Sequence, residues 1–335
     1  MSGQVILVAG ATGQDGRLAV SLSRFLGIEV VTIGRSENAS SLLLTESGNE
    51  ITYHATDYSQ ENLTALLGAI KPSVILNFAG QSLVSKSWSM VSETIISHTV
   101  IVGNFLSAIL KLDLDCYFLN ACSSEIFGEL SGSSDLGLIR RQLTPYGVAQ
   151  NAGFELVRMY REQKGLRTTN AVLYNHESAY RSPQFVFGKI VEGAYQCSIA
   201  HQKQLKLGNL DISRDWGYAP EYVYICLMMA LNDVQTDMPI CTGKGVSLAE
   251  VVDTAFSFFN LDASQFVVSD PTLYREREAK SIVGDPSILE AYLTVKPRVQ
   301  GQKLVTKICE DYCLALEARG WVDWDSVASD LGKIF

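Results

Sequence analysis

Residues 143–153 read LTPYGVAQNAG, and Tyr146 and Gln150 stand four apart at the head of a helix-period pattern. That spacing puts both side chains on one face of a helix, one turn apart. A phenol oxygen held beside a second polar group can exchange a proton with a reacting hydroxyl. With lysine in place of Gln150 the two would form a familiar oxidoreductase pair beside a nucleotide-binding sheet. Roughly twenty residues earlier, NACSSEIFGE gathers two hydroxyls and a carboxylate as Ser123, Ser124 and Glu125. A carboxylate there can work as a general base, and a hydroxyl can steady a developing oxyanion.

A third cluster lies near the start of the chain. VILVAGATGQDGRLAV reads as a strand, a glycine-rich turn and a helix, with Gly10, Gly13 and Gly16 as GxxGxxG. The first glycine permits the tight turn, the second lets backbone approach a pyrophosphate, and the third lets helix and strand pack closely. The helix N-terminus then offers free N–H groups and its dipole to the phosphates. Thr12, Gln14 and Asp15 in the turn, and Gln81 after the fourth strand, are expected to line the same cofactor. The second strand ends in IGRSEN, where Arg35 suits a ribose 2′-phosphate and Glu37 a free 2′-hydroxyl. Arginine standing first favours NADP over NAD. Asp57, after the third strand, is a candidate for the adenine edge.

These residues need a sheet to hold them. β-Rich runs at 5–9, 29–33, 51–54, 74–78, 116–120 and 168–173 alternate with helix-period segments at 18–26, 61–70, 91–110 and 147–163. Such alternation predicts an α/β fold with a doubly wound parallel sheet. The strands are almost continuously apolar, as strands covered on both faces are. In such sheets ligands bind at the carboxyl ends of the strands, which is where Ser123 and Glu125 fall. After residue 175 the pattern becomes irregular, with helices near 185–195, 221–232, 248–259 and 304–319. The expected organisation is a nucleotide-binding domain over 1–175 and a smaller, mostly helical substrate-binding lobe over 176–335, with the chain crossing between them.

The chain has 335 residues, 47% hydrophobic and 19% charged, with a net charge of −9. The acidic balance and the lack of a dense basic run argue against nucleic acid as a partner. Seven scattered cysteines without a CxxC pair predict reduced thiols and a cytoplasmic location. Four histidines without metal-ligand spacing give no support for a metal. The apolar run at 225–231 is too short to span a bilayer, so no membrane is expected.

GATGQDG, SSEIFG, TPYGVAQ, LYNHES, GNLDISRDWGYAPEYV and KPRV closely resemble the GDP-mannose 4,6-dehydratases, within the extended short-chain dehydrogenases/reductases. The matching segments run in order over nearly the whole chain. The resemblance implies an internal redox cycle: hydride leaves C4 of a GDP-hexose for bound NADP⁺, the 4-keto group acidifies C5–H, water leaves from C6, and the hydride returns there. On this likeness Tyr146 matches the residue that takes the hydroxyl proton and Glu125 the base at C5. Ser123 stands where threonine is usual. Asn175, Glu177, Lys189 and Arg214 match residues on the substrate side, and Arg275 and Glu278 match the pair around the guanosine. Gln150 replaces the family's lysine, whose ammonium lowers the tyrosine pKa and bonds the nicotinamide ribose. Glutamine keeps only the second role. Only Arg35 remains of two arginines in the cofactor loop, which favours a homodimer over a tetramer. Two other functions stay open: a GDP-sugar epimerase or ketosugar-modifying enzyme, and a nucleotide-sugar-binding protein without turnover.

Overall fold

The computed structural model describes residues 4–36, 51–128, 140–200, 204–274, 279–317 and 322–332. Glu37, Arg275 and Glu278 lie outside the described residues.

Six strands follow the apolar runs: β1 (Val5–Ala9), β2 (Glu29–Gly34), β3 (Thr52–Ala55), β4 (Val74–Asn77), β5 (Tyr117–Ser123) and β6 (Thr168–Leu173). With the strand Met238–Ile240 they form a seven-stranded parallel sheet in the order Met238–Ile240, β6, β5, β4, β1, β2, β3. Side chains alternate between two cores. Ile6, Val8 and Leu76 face one core, and Leu7, Ala9 and Ile75 face the other, all fully buried. That is why β1 and β4 read as apolar runs rather than alternating ones.

Five helices matter for the site: α1 (Gln14–Phe25), α2 (Gln60–Ile70), α3 (Val91–Ile95), α4 (Ile101–Lys111) and α5 (Pro145–Lys164). The single helix expected over 91–110 is interrupted. A π-helical turn, Ile96–Val100, joins α3 to α4 and packs on α5. Val91–Lys111 is long and apolar enough to cross a membrane, but half of it is buried, against α2 and α5. α5 starts where its chemistry says it should. The Thr144 hydroxyl caps Gly147 N–H at 3.1 Å, Pro145 follows, and Gly165 closes the helix at φ +69°.

Neighbouring strands β1 and β4 diverge in sequence order, so a crevice opens at their carboxyl ends. Gly10 sits there at φ +77°, and a Cβ on it would lie 2.7 Å from the backbone of Phe78 and Ala79. A Cβ on Gly16 would lie 2.3 Å from the Gly10 carbonyl oxygen. Both positions therefore need glycine.

After β6, Asn175–Glu177 and Ser213–Tyr218 pair in parallel, and Gly245–Ser247 and Ser281–Ile282 flank the latter. This small sheet faces the carboxyl end of the main one and brings Asn175 and Arg214 to the crevice. All seven cysteines are free thiols, six of them buried.

Candidate active site

A cavity of about 270 Å³ lies over the ends of β4, β5 and β6. Ser123, Glu125, Tyr146 and Gln150 line it on one side, and Asn175, Glu177 and Arg214 on the other. The structure thus brings together all four residues expected to do chemistry and three of those expected on the substrate side.

Local sequence explains the convergence. β5 ends at Ser123, and residues Ser124–Phe127 make a tight 3₁₀ turn. The Ser123 hydroxyl accepts the Glu125 N–H at 3.2 Å, which fixes the turn. Gly147 lets the first turn of α5 press against it, because a Cβ there would lie 2.7 Å from the Glu125 carbonyl oxygen. Tyr146 is therefore held against the end of β5.

Tyr146 and Gln150 are 8% and 5% exposed. The Gln150 amide nitrogen donates to the Tyr146 oxygen at 3.0 Å, and Ser123 also hydrogen-bonds that oxygen. Burial nevertheless pushes the phenol up to about 12, since these neutral donors only partly offset the loss of water.

His98, on the π turn, belongs to this group and was not singled out from the sequence. Its Nδ1 lies 3.1 Å from Gln150 Nε2, and its Nε2 donates to the Gln81 carbonyl at 2.7 Å. Its ring meets the Tyr146 ring edge-on at 5.0 Å between centroids. Burial lowers its pKa to about 4.

On the other wall, half-buried Asp15 and buried His176 form a pair at 3.1 Å. Burial would raise Asp15, but the His176 and Arg181 charges outweigh it and hold the carboxyl at about 2. Burial opposes a charge on His176 as well, and Asp15 outweighs that, so its pKa is raised. Glu177, buried, accepts from Arg181 at 2.6 Å. Burial raises its pKa in spite of that cation. Arg214, also buried, donates to the Ser213 and Ala279 carbonyls at 2.8 and 3.0 Å.

Other expected residues sit elsewhere. Gly10, Thr12 and Gly13 lie in the turn at the end of β1 and Gly16 in the first turn of α1, all outside the cavity lining. Gln14 spans from its turn to the NHES segment, donating to the His176 carbonyl at 3.2 Å and accepting from Ser178 at 2.8 Å. Arg35 is exposed at the end of β2. Asp57, exposed, accepts at Oδ1 from Ser59 N–H and from the Asn62 amide, each at 2.8 Å, at the head of α2. The Gln81 amide donates to the Leu83 carbonyl at 2.6 Å and does not line the cavity. The Lys189 ammonium donates to the Lys206 carbonyl at 2.6 Å and is likewise outside the lining.

A family model described as GDP-mannose 4,6 dehydratase matches residues 7–308. The chain belongs to the GDP-mannose 4,6-dehydratase family. It is 30% identical to GDP-mannose 4,6 dehydratase 2 of Arabidopsis thaliana, over 96% of this chain and 90% of that one. Among solved structures, UDP-glucose 4-epimerase of Thermus thermophilus in complex with NAD superposes with a TM-score of 0.82 at 17% identity, covering 92% of this chain and 99% of the other. RMD from Pseudomonas aeruginosa, solved with NADPH, gives 0.76 at 19% identity, covering 92% and 98%. At such identities the structural likeness speaks for the fold.

Proposed function

We propose that this member of the family is a GDP-sugar 4,6-dehydratase, using a nicotinamide dinucleotide to turn GDP-mannose or a related GDP-hexose or GDP-heptose into its 4-keto-6-deoxy form. One observation carries the reading: Ser123, Glu125 and Tyr146 share one wall of a single cavity. The family resemblance names the same three residues for this chemistry.

The cofactor's place fits the chain. Gly13 caps α1 without a side chain, so no side-chain acceptor competes for the first N–H groups of the helix. The close approaches at Gly10 and Gly16 hold the turn tight against the end of β4 and α1 close against the turn. When bound there, the dinucleotide supplies a hydride acceptor that later returns the hydride. Arg35 favours the 2′-phosphate of NADP, and NAD is the alternative. The relatives' names bear on the nucleotide-sugar class, and the solved neighbours include both NAD and NADPH complexes.

The residues divide the proton work. Tyr146 takes the proton from the sugar's O4 hydroxyl, and Ser123 orients that oxygen. Glu125 removes the C5 proton once C4 is a ketone, and in its protonated form donates to the leaving C6 hydroxyl. Asn175 and Arg214 hold the diphosphate side, and Glu177 with Arg181 shapes the wall beneath. Lys189 and the guanosine pair Arg275 and Glu278 complete the substrate side in this reading. The dinucleotide belongs with residues 1–175 and the GDP-sugar mainly with 176–335.

We further infer a cytoplasmic homodimer. The free thiols suit a reducing compartment. Trp88, Ile95, Ile96 and Val100 stand 40–67% exposed beside Val148 and Met159 of α5 at 51% and 44%, an apolar face of the kind partners cover.

The test is incubation of the purified protein with GDP-mannose and NADP⁺, followed by mass spectrometry. Loss of one water from the sugar supports the reading. GDP-mannose and a panel of GDP-hexoses and GDP-heptoses all recovered intact, from protein shown to bind NADP⁺, would overturn it.

A further inference from the structure

Tyr146, Gln150 and His98 are tied in a row that proton transfer at Tyr146 does not by itself require. The chemistry of the row admits one arrangement of hydrogens. The Gln81 carbonyl can only accept, so His98 Nε2, 2.7 Å away, carries a hydrogen. In a neutral ring Nδ1 is then bare and can only accept. The Gln150 group facing it must therefore be the amide NH₂, which has two hydrogens to give. One goes to His98 Nδ1 at 3.1 Å and the other to the Tyr146 oxygen at 3.0 Å.

We propose that His98 is a positioning residue that pins the Gln150 amide, so that Tyr146 always meets an N–H donor and never the amide carbonyl. The consequence follows from hydrogen-bond sign. A donor aimed at the phenol oxygen favours the phenolate, whereas a carbonyl in its place would accept from the phenol and favour the neutral form. Fixed orientation thus supplies part of what a cation at position 150 would supply by charge. It also leaves the Gln150 carbonyl oxygen as the amide's free end, an acceptor for a ribose hydroxyl.

The site is built for the ring. A Cβ on Gly80 would lie 2.3 Å from His98 Cε1, and one on Gly153 would lie 2.2 Å from the His98 carbonyl oxygen. Gly80 therefore makes room for the ring, and Gly153 for the backbone that carries it. The π turn that carries it is a form common at functional sites. Burial keeps the ring neutral, and the titratable group packed against it is Tyr146.

The inference draws its catalytic meaning from the role proposed for Tyr146. Its test reads ionisation without substrate, so the two can fail separately. A 3,5-difluorotyrosine at position 146, more acidic than tyrosine, brings titration into the range where the fold is stable, and fluorine NMR follows it. His98→Phe keeps a flat ring but cannot accept. With Gln150 present it should raise the phenol pKa by about one unit or more, at least a tenfold loss of phenolate at fixed pH. With Gln150→Lys, where no amide can turn, the same change should move it by no more than a few tenths of a unit. An unchanged pKa in the Gln150 protein, or an equal shift in both backgrounds, would overturn the proposal. If His98→Phe does not fold, nitrogen NMR of histidine-labelled protein decides. Either His98→Gln or His98→Asn, whichever folds, assigns the resonance. A neutral ring protonated at Nε2 is expected, and protonation at Nδ1 overturns the proposal.

Discussion

Gln150 Nε2 lies 3.0 Å from the Tyr146 oxygen, one helical turn along α5, with both side chains buried. A neutral amide therefore stands where a cation would lower the phenol pKa directly. A unit charge at ~4 Å is worth about 1–4 kcal/mol between water-like and surface-like dielectrics. That corresponds to about one to three pKa units. With the phenol pushed up to about 12, its ionised fraction rises about tenfold for each pH unit below that value. The rate of C4 oxidation, followed as nicotinamide reduction in a single turnover, should climb about tenfold per unit from pH 7 to 9. Gln150→Lys should raise the rate at pH 7 by about 10- to 1,000-fold. A wild-type rate that is high and flat over this range would contradict the role given to Gln150.

Glu125 separates the two halves of the reaction. Its backbone is fixed by Ser123 and by the approach of Gly147, so Glu125→Gln should leave the turn in place. Water loss should fall by about 10²- to 10⁴-fold. Reduced nicotinamide should build up and persist, because C4 oxidation does not need this carboxylate. Equal loss of both signals would place Glu125 in substrate binding instead.

Glu221 predicts a pH dependence of stability. Burial pushes its carboxyl up from the ordinary 4.5 to about 7, despite N–H bonds from Arg298 and Val299 at 3.0 Å. Between those two values the folded state holds a proton that the unfolded state has lost. Stability therefore falls as pH rises through this window, by about 1–3 kcal/mol from this residue. Urea unfolding at pH 5 and pH 8 should show a smaller pH difference in Glu221→Gln than in the wild type. An unchanged difference would count against it.

A polar ladder crosses the sheet beneath the site. Asn77 donates to Asn120, Asn120 to Asn170, and Asn170 to Asp237, at 3.0, 3.0 and 3.1 Å. Asn120→Ala removes the middle rung and strands a donor on one side and an acceptor on the other. The expected cost is about 2–4 kcal/mol, read from denaturant midpoints. A cost below half a kcal/mol would mean that water or a rearranged neighbour satisfies both groups.

If the face around the π turn joins two copies, Ile96→Asp should shift the protein towards monomer in sedimentation. Ile96 is 52% exposed in the single chain, so the change should cost little in a monomer. A monomeric wild type, or a variant dimer of unaltered strength, would remove this face as the interface.

The sheet was legible because most of its strands are rich in apolar and β-branched residues between glycine and polar turns, and every expected run over 5–173 became a strand within a few residues. Tyr146 and Gln150 could be read together because one helix carries both. His98 could not. It lies 52 positions from Gln150, inside an apolar stretch, and no sequence spacing links them. The π turn that aims it depends on packing against Gly153 of α5, which is tertiary information. The strand Met238–Ile240 was missed because three residues with a central proline carry no strand signal. It is an edge strand, where a missing N–H is tolerated. Asp57 and Lys189 also make local bonds that sequence could not show, Asp57 through one carboxylate oxygen and Lys189 through one of its three N–H donors.

In the proposed reaction one cavity carries a hydride from C4 to C6 of the same sugar. The direct measurement uses GDP-mannose deuterated at C4, with the product analysed by NMR and mass spectrometry. Loss of one water and deuterium at C6 of the product are expected. Water loss without deuterium at C6, or deuterium left on the cofactor with the sugar not dehydrated, would contradict that reaction.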